Sequence, residues 1–140
     1  MIGAIMARNK VRSSFECLNR RDIEAFLSNW AEDAHFLHPG TLSISGEMEG
    51  KEAIREWFQK FLDRFPGIGF SLNSVCVEKI FALGGTNVVT VEWDIVLSDH
   101  GGEEFRNTGL SMIKLEKGKA VLVRDYVFDL EVDKQAWGER

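Results

Sequence analysis

Three carboxylates and one imidazole are the side chains with which this chain could move a proton. Glu92 and Asp94 stand two residues apart in an alternating run, so on a strand they project from one face, while Val89, Val91, Trp93, Ile95 and Leu97 project from the other. Asp125 lies in the stretch from Val121 to Asp129, where both alternating faces are largely apolar. An ionised carboxylate is costly in that setting, and its pKa should rise unless a donor satisfies it. His38 adds an imidazole, which can serve as a base or as a donor to a substrate oxygen. If Glu92, Asp94 and Asp125 share a dry pocket, mutual repulsion keeps at least one of them protonated, so that one takes a proton while another gives one. Such a set suits proton abstraction beside a carbonyl, aldol-type ring closure or water activation. The competing readings are a solvated face for Glu92 and Asp94, an ion pair for Asp125 and a backbone-bonded loop position for His38.

Other chemistries find less support. His35 and His38, with Asp33 nearby, lack a third histidine or cysteine at a ligand spacing, and His100 lies in a distant turn, so no metal is expected. Phosphate-binding glycine loops, a nucleophile elbow and a dinucleotide fingerprint are all missing, and no cofactor is implied.

The elements that must position these groups follow from periodicity. Val11, Phe15 and Leu18 suit a first helix that stops near Asn19-Arg20-Arg21, and Asp22 should cap a second helix carrying Ile23, Phe26, Leu27 and Trp30. Ile54, Trp57, Phe58, Phe61, Leu62 and Phe65 recur at helical spacing between Gly50 and Pro66-Gly67, the strongest helical signal in the chain. Beyond Pro66 the period becomes two, with strands expected over about 70–81, 87–98, 104–116 and 119–130, separated by Gly84-Gly85, Asp99-His100-Gly101-Gly102 and Lys117-Gly118. Short turns between consecutive strands imply antiparallel hairpins, and helices grouped ahead of strands imply an α+β domain.

The 140 residues suit a single domain over 1–140. A net charge of −5 opposes binding to a phosphate backbone, so nucleic acid is not an expected partner. The apolar opening from Met1 to Ala7 is too short for a membrane span or a signal-peptide core, and the protein is read as cytoplasmic with no membrane partner. Cys17 and Cys76 have neither CxxC spacing nor disulfide density and are expected to be buried free thiols.

The order of two helices, Trp30-Ala31-Glu32-Asp33-Ala34, a His38-Pro39 turn, Gly50 with its aromatic helix and then four strands resembles the NTF2-like superfamily. Within it, the chain is similar to SnoaL-like polyketide cyclases, limonene-epoxide hydrolases and ketosteroid isomerases over residues 11 to 130. Gly118-Lys119 followed by Arg124-Asp125-Tyr126-Val127-Phe128-Asp129 looks like the end of a limonene-epoxide hydrolase. The resemblance implies an α+β cone of the NTF2-like (cystatin-like) type. In it, N-terminal helices pack on a curved antiparallel sheet around a deep pocket, and the outer sheet face commonly forms a homodimer. Matched strand for strand, Asp125 and Asp94 take the positions of the two water-activating aspartates of the epoxide hydrolases. Glu92 stands at the position of their arginine, and Phe36 and His38 at those of their tyrosine and asparagine. His38 also takes the place of the isomerases' general-base aspartate, whose oxyanion-hole partners find only Ser14 and the Ser111-Met112 neighbourhood. SnoaL-like cyclases use an acidic residue of the late strands, and Asp125 fits that pattern.

The function so implied is a cofactor-independent acid/base enzyme of isomerase, cyclase or epoxide-hydrolase type, acting on a small, mainly apolar, oxygen-bearing ligand. Asp125 and Asp94 are central to it and Glu92 and His38 assist, with Trp30, Phe36, Trp57 and Val127 as the apolar wall. The alternative is a non-catalytic ligand-binding or dimerisation module of the same fold. In either case the stripe Val89, Val91, Trp93, Ile95 and Leu97 is available for a homodimer.

Overall fold

The computed structural model describes residues 2–80 and 85–139. Phe81, at the end of the first expected strand, and Gly84 of the expected Gly84-Gly85 turn lie outside them. Helix α1 (Ile2–Asn19) begins well before Val11, so the apolar opening from Ile2 to Ala7 is its first part. Asp22 caps α2 (Ile23–Leu27) as expected, its carboxylate accepting from the Ala25 amide. This helix stops sooner than its pattern suggested, because Trp30 opens a strand.

That strand, β1 (Trp30–His38), and β2 (Gly46–Glu49) were not anticipated; they form a small antiparallel pair ahead of α3 (Lys51–Arg64). The aromatic helix α3 buries Ile54, Trp57, Phe58, Phe61 and Leu62, as its spacing requires. Arg21, held at a left-handed φ of 62°, donates to the carbonyls of Leu62 and Phe65, which satisfies free acceptors at the end of α3. The strands β3 (Gly67–Val77), β4 (Thr86–Ser98), β5 (Glu104–Glu116) and β6 (Lys119–Val127) follow close to their expected bounds. The last expected strand stops at Val127. Asp129 then accepts from the amides of Glu131 and Val132 and so starts a short helix, α4 (Leu130–Ala136).

All six strands form one curved, unclosed sheet in the order β2-β1-β6-β5-β4-β3. The sheet is not wholly antiparallel, because β1 lies parallel to β6. A register shift between β5 and β6 near Lys114/Leu115 has a large effect: Leu115 pairs with Ala120, but Lys114 pairs with Leu122. One extra residue on β6 reverses the facing of everything beyond it, so Ala120, Val123, Asp125 and Val127 all point inward.

The inner face is the apolar one. Val89, Val91, Trp93, Ile95 and Leu97 are each under 9% exposed and belong to the hydrophobic core beneath the helices. That stripe is therefore unavailable to a second protomer, a correction to the expectation that it could serve a homodimer. Of the two cysteines, Cys17 is buried as expected but Cys76 is exposed, because β3 turns it to the outer face of the sheet. Among the described residues, no helix is long and apolar enough to cross a membrane.

Candidate active site

The helices and the inner sheet face enclose a cavity of about 120 Å³ with an almost wholly apolar lining. Its size is comparable with the roughly 150 Å³ hydrocarbon-lined void that accepts benzene. Trp30, Phe36, Trp57 and Val127, the four residues expected on the apolar wall, all line it. Phe36 and Trp57 meet edge to face, with ring centroids 4.9 Å apart, and Trp137, just past α4, packs on Trp57 at 5.8 Å.

A hydrogen-bonded chain runs across three strands into this lining. The Trp93 indole on β4 donates from Nε1 to Ser111 Oγ on β5 at 2.9 Å, and Ser111 Oγ donates to Asp125 Oδ1 on β6 at 2.6 Å. With Asp125 ionised the direction is fixed, because the indole N–H can only donate and the carboxylate can only accept, so the serine proton goes to Oδ1. Gly109 makes the arrangement possible. It lies directly opposite Trp93 in the ladder, and a Cβ there would come within 2.2 Å of the indole. The ring lies across the vacant position and so reaches Ser111.

Asp125 is partly accessible and is one of the residues that line the cavity. Burial pushes its pKa up to about 6, against the opposing pull of the Ser111 hydrogen bond. A proton on His38 would lower it further, and the charge of Asp133 raises it. Desolvation thus dominates, not repulsion from Glu92 and Asp94. An acid with this pKa has a substantial population of both protonation states near neutral pH, as a general acid/base requires.

His38 ends β1 and is buried, its ring 5.0 Å from that of Trp57. It is not the backbone-bonded loop histidine of the competing reading. Nε2 lies 3.0 Å from Asp133 Oδ2 on α4, while Nδ1 is buried without a hydrogen-bond partner.

Glu92 and Asp94 do not join this group. Both are exposed on the outer face, one residue out of phase with the inward-facing Val91 and Trp93. Asp94 accepts from Thr108 Oγ1 at 2.8 Å, and Glu92 borders a shallow groove with Thr108, Leu110, Tyr126 and Phe128. Their expected place beside Asp125 is corrected by the pleat: with Trp93 turned inward, its neighbours in the chain must turn outward.

Asp133 and the Trp93-Ser111 relay were missed. Ser111 faces Asp125 only because of the register shift in β6; counting back from the Lys117-Gly118 turn alone sets Asp125 opposite Leu110. Asp133 stands in a short charged helix with no pattern linking it to His38. Among the described residues, one group has donor atoms close enough for a cation. It comprises His35, Glu47 and Glu49, whose atoms lie within 4.8 Å of one another on the β1–β2 pair, and none of the three lines the cavity.

Comparison with known proteins agrees with this architecture. No curated protein matches the chain. An NTF2-like protein of unknown function from Burkholderia pseudomallei superposes with a TM-score of 0.78 at 18% identity, over 94% of this chain and 96% of that one. A Mycobacterium tuberculosis protein in complex with estradiol-17β-hemisuccinate gives 0.76 at 19% identity, over 91% and 96%. An LEH-like epoxide hydrolase from the same organism gives 0.72 at 16%, over 94% and 89%. At these identities the likeness is one of fold. The model of the SnoaL-like domain matches residues 11–123, most of the chain, and with the curved sheet and its covering helices it establishes that the chain belongs to the SnoaL-like, NTF2-like family.

Proposed function

We propose that the protein is a cofactor-independent acid/base enzyme acting on a small, mainly apolar, oxygen-bearing molecule, with Asp125 as the acid/base and His38 assisting. The observation that carries this reading is the placement of Asp125. Its Oδ1 is held by Ser111 at 2.6 Å in an apolar cavity, its pKa is near 6, and its other oxygen is left to exchange a proton with a bound ligand. Isomerisation, ring closure and epoxide opening all draw on such a group. Trp30, Phe36, Trp57 and Val127 form the wall against which the substrate packs.

The test is turnover of a panel of epoxides, cyclic ketones and polyketide-like ketones by the wild-type protein and by Asp125→Asn. Loss of about 10²–10⁴-fold in rate is the expected result. Full activity of the variant on a verified substrate would overturn the assignment. A second reading, a non-catalytic binding module, is favoured by the scarcity of polar groups in the lining and by the estradiol-17β-hemisuccinate held by a protein of this fold. Ligand binding without turnover across the panel would select it. In both readings the protein acts as a homodimer through the outer sheet face, where Tyr126 and Phe128 are 52% and 88% exposed. The free thiols fit a reducing compartment such as the cytoplasm.

A further inference from the structure

His38 only assists Asp125 in the proposed reaction, yet its surroundings define a second polar anchor in the same cavity. Two observations bear on it. Nε2 is 3.0 Å from the Asp133 carboxylate, which can only accept when ionised, so in the neutral ring the proton sits on Nε2. Nδ1 is then a bare lone pair, and it is buried with no partner, on a residue that lines the cavity. A buried acceptor left unmade is costly, and such sites are commonly completed by a ligand or an ordered water. A ligand that pairs with this nitrogen must bring a proton of its own. A carbonyl, ether or epoxide oxygen cannot do so.

We infer that the cavity selects ligands bearing a phenolic or enolic hydroxyl, which donates to Nδ1 of the neutral His38 ring, with Asp133 as the positioning residue that fixes the ring proton on Nε2. The inference rests on the same cavity as the proposed function but does not require turnover. It also divides the polar work: Asp125 meets a ligand oxygen as donor in its acid form, and His38 meets a ligand hydroxyl as acceptor. The cavity volume of about 120 Å³ suits one aromatic ring.

Phenol and toluene, which have the same number of heavy atoms, are the probes, with binding measured by calorimetry or tryptophan fluorescence. Toluene is the more readily transferred from water, so phenol should win only where its hydroxyl finds a partner. In the wild type, phenol should bind at least as tightly as toluene. In His38→Phe the phenol-to-toluene affinity ratio should fall by about tenfold or more, and in Asp125→Asn it should persist. Nitrogen NMR of the His38 ring in the wild-type protein supplies a readout that does not depend on the variant folding. An Nε2–H tautomer is expected, with the Nδ1 resonance displaced by phenol and not by toluene, and Asp133→Asn should give a mixture of tautomers with a weaker phenol preference.

An Nδ1–H tautomer in the free protein would overturn the inference. So would an unchanged ratio in His38→Phe, or a ratio lost only in Asp125→Asn. Binding of neither probe at millimolar concentration would sink both this inference and the cavity reading beneath it. Phenol selection through His38 combined with full turnover by Asp125→Asn would sink the catalytic assignment alone.

Discussion

The two faces of the sheet carry a nearly matched pair of aspartates. Asp125 accepts from Ser111 Oγ at 2.6 Å on the inner face, and Asp94 accepts from Thr108 Oγ1 at 2.8 Å on the outer face. Each is a carboxylate on a strand next to β5, and each is bonded to a hydroxyl of that strand. The difference is the medium. Asp125 borders an aromatic cavity and has its pKa raised to about 6 by burial, whereas Asp94 is exposed. A hydroxyl partner alone therefore does not raise the pKa of a carboxylate; the medium on its face of the pleat does.

The largest expected effect that could break this comparison is on turnover. Asp125→Asn should lose about 10²–10⁴-fold in rate on any verified substrate, while Asp94→Asn and Glu92→Gln stay within about threefold of wild type in a steady-state assay. Comparable losses from the outer-face variants would abolish the distinction.

Stability should separate the faces next, and the sign is set by the raised pKa. Between the unfolded value near 3.8 and the folded value near 6, the native state binds more protons than the unfolded state. The contribution of Asp125 is thus most favourable below about pH 4 and is lost as pH rises through 6. Asp125→Asn removes that penalty, so its stability relative to wild type should increase by up to about 3 kcal/mol from pH 4 to pH 7, measured by denaturant unfolding at each pH.

Packing provides a third contrast. Gly109→Ala would drive a methyl into the Trp93 ring, where the Cβ position is 2.2 Å from the indole, and should destabilise the fold by about 1–3 kcal/mol in thermal melts. Its neighbour Leu110 is on the outer face, and Leu110→Ala should cost less. The smallest effect is expected from Ser111→Ala. Loss of its hydrogen bond should move the Asp125 titration further upward, because that bond favours the ionised form, and should cost about 1 kcal/mol in stability.

Much of this architecture is legible in the sequence where a single period runs unbroken. The helix from Lys51 to Arg64 and the strands β4 to β6 announce themselves by strong apolar repeats, and Asp22 by its position before one. β1 does not, because Glu32 and Asp33 interrupt its alternation and Trp30 extends the apparent pattern of α2. The same limit governs the site. Asp125 stands out because it is a carboxylate among apolar neighbours. Ser111 depends on a one-residue register shift in β6, and Asp133 on the packing of a seven-residue helix against the end of β1, both of them long-range relations with no local signature. The misplacement of Glu92 and Asp94 has a simpler cause. The apolar stripe through Trp93 requires them to face outward, whereas a position-by-position match to the epoxide hydrolases turns them inward, and the pleat follows the stripe.

The central claim is that burial in the cavity makes Asp125 an acid poised near neutrality. Carboxyl-carbon NMR titration of the wild-type protein, with the resonance assigned through Asp125→Asn, tests it most directly. A midpoint near pH 6 is the expected result. A midpoint near the model-peptide value of about 3.9 would contradict the account, because the carboxylate would then be solvated or fully paired and without a reason to hold a proton.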